Sequence, residues 1–120
     1  METENKHKLI KWEEMNWEPG IYENTEMSYL YEDEQGRLCF LVKLHPGSFI
    51  PMHDHPRREF AYLIKGDLIL NENEVMKEGD FLTAGLAESH DVRTENGALL
   101  YVFIDYHVIR QRIVEIETTS

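Results

Sequence analysis

The stretch PMHDHPRREFAYLIKG, residues 51–66, sets two histidines one residue apart, follows them with a proline and two arginines, and enters an apolar run of strand character. In an extended chain alternate side chains share a face, so His53 and His55 point one way and Asp54 the other. Two imidazoles at that spacing form a clamp for a divalent metal. Pro56 ends the first strand, Arg57 and Arg58 turn the corner, and Glu59 opens a neighbouring strand that returns its carboxylate to the same side. Imidazole plus carboxylate suits Zn, Fe, Mn, Ni or Cu, and no soft thiolate is needed. A fourth ligand must come from elsewhere, and His90, after the bend GDFLTAGLAESH, is the candidate.

On either side, the chain reads as short strands separated by turn residues. TEMSYLYE (25–32) and RLCFLVKL (37–44) flank the turn DEQG as a hairpin, and DLIL and EVMK flank the reversal NEN (71–73). DFLTAG, HDVRT and ALLYVFIDY follow, the last two joined by ENG, where Asn96-Gly97 is a strong hairpin signal. Many short strands with frequent turns predict an all-β sandwich or barrel. With Glu59 pointing inward, alternation puts Ala61 and Leu63 inside and Phe60, Tyr62 and Ile64 on the other face, which then needs a cover. Phe40, Phe49, Phe81, Tyr101 and Phe103 are expected in the core, and Met52 is expected to pack rather than ligate. Cys39 reads as a small buried hydrophobe, and Arg57 and Arg58 as solvated corner charges. His7, His45 and His107 read as structural or solvated.

The 120 residues fit one domain. Lys and Arg number 12 against 23 Asp and Glu, a net charge of −11 with the histidines neutral. So acidic a surface repels phosphate backbones and anionic lipid, which argues against nucleic-acid and membrane partners. One cysteine makes no internal disulfide, and no apolar run has signal-peptide or membrane-span length, so a cytoplasmic location is expected. The expected organisation is an N-terminal segment 1–16, a domain 17–106, and a C-terminal strand or short helix 107–120.

From Gly47 to Gly66 the chain follows G-x5-H-x-H-x3-E-x6-G without a mismatch, which resembles the first motif of the cupin superfamily. The second motif, G-x5-P-x-G-x2-H-x3-N, is matched at Gly79 and His90, but Gly85, Ala87 and Thr94 stand at its Pro, second Gly and Asn positions. WEPGIY, HPGSFIPMHDHPRREFAYLIKGDL and NGALLYVF narrow the resemblance to cupin domains of ChrR-type anti-sigma factors and acetylacetone-cleaving dioxygenases. It implies a cupin jelly-roll β-barrel of two antiparallel sheets in a single domain. It also implies one divalent metal ion per chain (Fe, Zn, Mn or Ni) on His53, His55, Glu59 and His90, and a homodimer.

Three functions follow from that resemblance. The first is an iron-dependent, dioxygenase-like enzyme acting on a small organic acid, diketone or aromatic substrate. The second is a non-catalytic zinc sensor or ligand-binding cupin, which would need a partner protein. A sugar isomerase or epimerase is the third, and it lacks a nominee for the acid–base residue, since Glu59 is already a ligand.

Overall fold

In the computed structural model, residues 6–55 and 57–105 are described. Among these residues a 3-10 turn at Trp12–Glu14 is followed by nine strands: β1 (Glu18–Pro19), β2 (Thr25–Glu32), β3 (Arg37–Leu44), β4 (Phe49–His53), β5 (Arg58–Leu70), β6 (Glu74–Lys77), β7 (Phe81–Ala84), β8 (His90–Arg93) and β9 (Ala98–Asp105). All pairings are antiparallel. One sheet runs β1-β2-β3-β9-β5 with β7 on the far side of β5; the other joins β6, β5, β8 and β4. The result is an all-β jelly roll whose two sheets share one strand.

That shared strand is β5. Its first half pairs with β7 and β9 and its second with β6 and β8. The handover follows a register shift against β9 between Leu63 and Lys65. Gly66 sits there at φ +92°, and a Cβ on it would collide with the backbone of Gly97 and Ala98. Only glycine meets both demands. FAYLIK and DLIL, read as two strands, are therefore one strand of 13 residues. Lys65-Gly66 looks like a turn in sequence but serves as a bend.

Alternation holds along the first half of β5. Ala61 and Leu63 are buried, whereas Phe60 is half-buried and Tyr62 and Ile64 are exposed. The core gathers Phe40 and Leu44 from β3, Leu63, Leu68 and Leu70 from β5, Met76 from β6, Val92 from β8, and Leu100 and Val102 from β9. Each sheet thus offers one apolar face to the other. Of the five aromatics expected inside, only Phe40 is buried. Phe49 and Phe81 are 51% and 62% exposed, Tyr101 is also exposed, and Phe103 is half-buried. The last three lie on the outward side of their sheet because their positions alternate with the inward Leu100, Val102 and Leu82. Met52 is exposed rather than packed, and Cys39 is only half-buried, its Sγ accepting from the Tyr101 hydroxyl at 3.2 Å.

The turns at 33–36 and 71–73 close hairpins β2–β3 and β5–β6 as expected. The turn at Asn96-Gly97 does not. β8 and β9 are not paired with each other; β8 pairs with β4 and β5, β9 with β3 and β5, so the turn carries the chain from one sheet to the other. Gly97, at φ +102°, makes the reversal, but the strands it joins belong to different layers. Outside the barrel the N-terminal segment lies over β2 and β3. Ser28 meets the Met15 sulfur, Lys43 stacks over Trp17, and Lys8 donates to the Leu30 carbonyl. The C-terminal segment 107–120 lies outside the described residues.

Candidate metal centre

Three elements bring the histidines together. His53 ends β4 and His90 begins β8, and the two are direct cross-strand partners. His55 lies past the end of β4, so strand alternation is not what orients it. Nor is β5 the neighbour of β4, since β8 stands between them, and Glu59 reaches the site from the other sheet's portion of β5. The histidines that the spacing pairs do come together, but not by strand alternation: the loop after β4, rather than a pleat, presents His55.

The imidazole centroids are 4.5–5.0 Å apart, and one ring nitrogen from each lies within 4.8 Å of the others. Two of the rings are oriented by carbonyls. His53 Nδ1 is 2.9 Å from the Pro51 oxygen, and His55 Nδ1 is 2.8 Å from the Glu88 oxygen. A carbonyl can only accept, so each Nδ1 carries the proton and each Nε2 keeps a lone pair for the centre. His55 is 4% exposed, and its Nε2 is buried without a hydrogen-bond partner among the described residues. Such an orphan acceptor is costly in an apolar interior, and a cation would satisfy it.

The Glu59 carboxylate approaches His55 Nε2 at 3.9 Å. Burial pushes its pKa up, while the His55 and His53 imidazoles pull it back. Burial also lowers His90 to about 4, helped by the neighbouring His55 and His53, so its ring is neutral at physiological pH and its lone pair free to coordinate. A neutral His90 ring beside two further imidazoles and a buried carboxylate makes a donor set that fits a divalent cation.

The turn that delivers His90 shows how a degenerate motif keeps its shape. Ala87, in a glycine position, adopts φ +67°. Its N–H donates to Asp54 Oδ1 at 2.9 Å, and the same oxygen accepts from the His55 N–H at 2.8 Å. Thr94, in the Asn position, is buried and works as a turn pin: its hydroxyl donates to the Asp67 carbonyl and accepts from the Gly97 N–H. Arg58 is no solvated corner charge, since it pairs with Glu88 at 3.0 Å. His7 is exposed, His45 pairs with Glu26 at 2.5 Å, and His107 lies outside the described residues. The roles of Asp54 and Glu88 leave no pattern in the chain. Asp54 binds the Ala87 N–H 33 residues on, and the Glu88 carbonyl meets the His55 ring 33 residues back. The Glu88 carboxylate binds the Gly85 N–H across a turn and the distant Arg58 guanidinium.

His53, Glu59 and His90 open onto a cavity of about 260 Å³ between the sheets. Its walls are mainly apolar, with Phe40, Leu68, Leu100 and Val102 among them and Tyr22 and Thr25 adding polar groups. Its size falls just below the roughly 300–1,000 Å³ of drug-sized ligand sites.

A model of the ChrR cupin-like domain family matches residues 5–107. No curated protein matches the chain. Solved structures similar to it include an RmlC-like cupin from Shewanella frigidimarina (15% identity, TM-score 0.73, covering 84% of this chain and 92% of that one). A predicted oxalate decarboxylase from Thermotoga maritima is 22% identical, with a TM-score of 0.71 over 82% of this chain and 99% of that one. The Rhodobacter sphaeroides structure of SigE in complex with the anti-sigma ChrR is 18% identical, with a TM-score of 0.68 over 79% of this chain and 52% of that one. At these identities the likeness is one of fold.

Proposed function

This chain belongs to the ChrR cupin-like domain family, and we propose that it is a metal-dependent cupin holding one divalent ion on His53, His55, Glu59 and His90. The reading rests on one observation: a buried, unpartnered His55 Nε2 lies beside two more imidazoles and a carboxylate at an apolar cavity. We further propose that the ion is Fe(II) and that the activity is dioxygenase-like, on a small organic acid, diketone or aromatic compound. Iron bound there supplies activation of dioxygen and polarisation of a substrate oxygen. The chain's own part is positioning and exclusion. Carbonyls of Pro51 and Glu88 hold two imidazoles by Nδ1, Glu59 offsets part of the cation's charge, and the apolar walls keep water from the reacting end of the substrate. A cavity of about 260 Å³ with mainly apolar walls suits a small substrate.

The second reading is a zinc-holding sensor without turnover. It is favoured by the family itself and by the similarity to the ChrR of the SigE complex. In both readings the working unit is residues 17–106, in the cytoplasm, paired with a second copy through the outward aromatics of the first sheet.

Metal content decides between these. Untagged protein from iron-supplemented cells is measured by plasma mass spectrometry beside His53→Ala. Near-stoichiometric iron, lost in the variant, supports the enzyme and leads to oxygen uptake with diketone, acid and aromatic panels. Stoichiometric zinc with no uptake supports the sensor. Wild-type protein that takes up no metal overturns both.

A further inference from the structure

The two loops that carry the histidines are laced together by side chains outside the proposed ligand set. Asp54 Oδ1 accepts the backbone N–H of His55 on its own loop and of Ala87 across the gap. Glu88 Oε1 accepts the Gly85 N–H at 2.7 Å and the Arg58 guanidinium at 3.0 Å. Arg58 also reaches Thr83 Oγ1 at 3.4 Å, and the Thr83 hydroxyl donates to the Glu59 carbonyl at 2.8 Å. Inside this lacing lies the Glu88 carbonyl, the acceptor that fixes the His55 ring.

The consequence is geometric. His55 is not held by strand pairing, because β4 ends at His53. Its ring direction depends on where the Glu88 carbonyl stands, and that depends on the turn at 85–89. The turn carries strain, with non-glycine Ala87 in the left-handed region, so it needs an external partner to hold its shape. Asp54 is that partner, taking the N–H that the strained residue presents. Glu88 ties the same turn to β5 at the residue beside Glu59.

We propose that Asp54 and Glu88 are positioning residues that clasp the two ligand loops and so hold the His55 imidazole with Nε2 facing the metal. The proposal rests on the metal reading of the site, but its key observable does not. With the clasp intact, the tautomer is fixed with hydrogen on Nδ1 even in metal-free protein. Without it, the ring is free to turn and exchange tautomers. The loss in metal affinity is that expected for removing an outer-shell partner, about 10–100-fold.

The test uses the full chain and Zn²⁺ as probe. Affinity is measured by chelator competition for wild type, Asp54→Ala and Asp54→Asn, and the His55 ring nitrogen shifts are read by NMR in the metal-free proteins. Asp54→Ala is expected to bind Zn²⁺ about 10–100-fold more weakly and to show averaged His55 tautomers. Asp54→Asn keeps the accepting oxygen and is expected to restore both. An Asp54→Ala protein with wild-type affinity and a fixed tautomer overturns the proposal. Should Asp54→Ala fail to fold, Glu88→Ala, whose side chain is 52% exposed, tests the other arm of the clasp with the same expected losses, and unchanged values there overturn it too. If wild type binds no Zn²⁺ the metal reading fails, and the tautomer comparison alone then decides the clasp.

Discussion

Ala87 shows how a single side chain carries the cost of a departure from its motif. In the left-handed region a Cβ is crowded by its own backbone, at about 1–2 kcal/mol for an L-residue. Glycine removes the crowding but loses more freedom on folding, about 0.5–1 kcal/mol. Ala87→Gly is therefore expected to raise stability by about 0.5–1 kcal/mol without changing metal content, as urea unfolding would read it. An unchanged midpoint would mean that the turn relaxes around alanine. On the outer face, Tyr101 donates to Cys39, and this bond, aided by burial, pushes the phenol to about 12. Removing the acceptor with Cys39→Ala should lower it towards the ordinary 10, seen as earlier phenolate absorbance in an alkaline titration. The sign for stability follows. A phenol held protonated in the fold but free to ionise in the unfolded chain contributes fully below pH 10, and that contribution disappears as pH rises through 12. The clustered histidines were legible because the residue types and spacing that would suit a metal site stand out in the chain. The residues that aim them were not, since a backbone N–H or carbonyl can be supplied by any amino acid.

Among the elements, β5 shows where local reading stops. Strands β2 and β3 matched their predicted limits because each is bounded by turn residues and is apolar enough to be seen alone. β5 was read as two because Lys65-Gly66 has the composition of a turn, and only the layer arrangement decides that the chain bends there without reversing. The hairpin expected at Asn96-Gly97 failed for the same reason: the dipeptide specifies a tight reversal, whereas the partners of the flanking strands are a property of the whole sheet order. Gly66→Ala should accordingly cost about 2–4 kcal/mol, combining an unfavourable φ with a backbone collision. Leu63→Ala, at a fully buried position one turn of the pleat away, should cost a similar 2–5 kcal/mol through an ordinary cavity. Strain and collision at Gly66 are told apart by Gly66→Asn, since asparagine tolerates positive φ but brings the same Cβ, and would recover part of the loss only if strain dominates.

At the level of the whole molecule, the outer surface of the first sheet is unusually aromatic for so acidic a chain. Two cross-strand rows, Cys39-Phe103-Phe60 and Tyr101-Tyr62-Phe81, lie side by side, with Phe60 stacked on both Phe81 and Phe103. The proposed homodimer uses this face, and Phe81→Glu should convert it to monomer with the fold intact, as sedimentation would show. A dimer that survives the substitution would have to use another surface. Because each chain carries −11, association should strengthen as added salt screens the repulsion. Fold class and domain number were open to the sequence reading because composition and turn spacing are global properties. The sidedness of the aromatics was harder, since it turns on which face the second sheet takes.

The shared strand has one more consequence. Glu59 and Phe60 are adjacent on β5, one turned to the metal centre and the next to the outer surface. Whatever grips Phe60 from outside also constrains the backbone that aims the carboxylate inside. In the proposed metal-bound dimer, subunit association and metal loading would then be thermodynamically linked and the linkage reciprocal: a metal-free chain would dimerise less tightly by the same factor that a monomer loses in metal affinity.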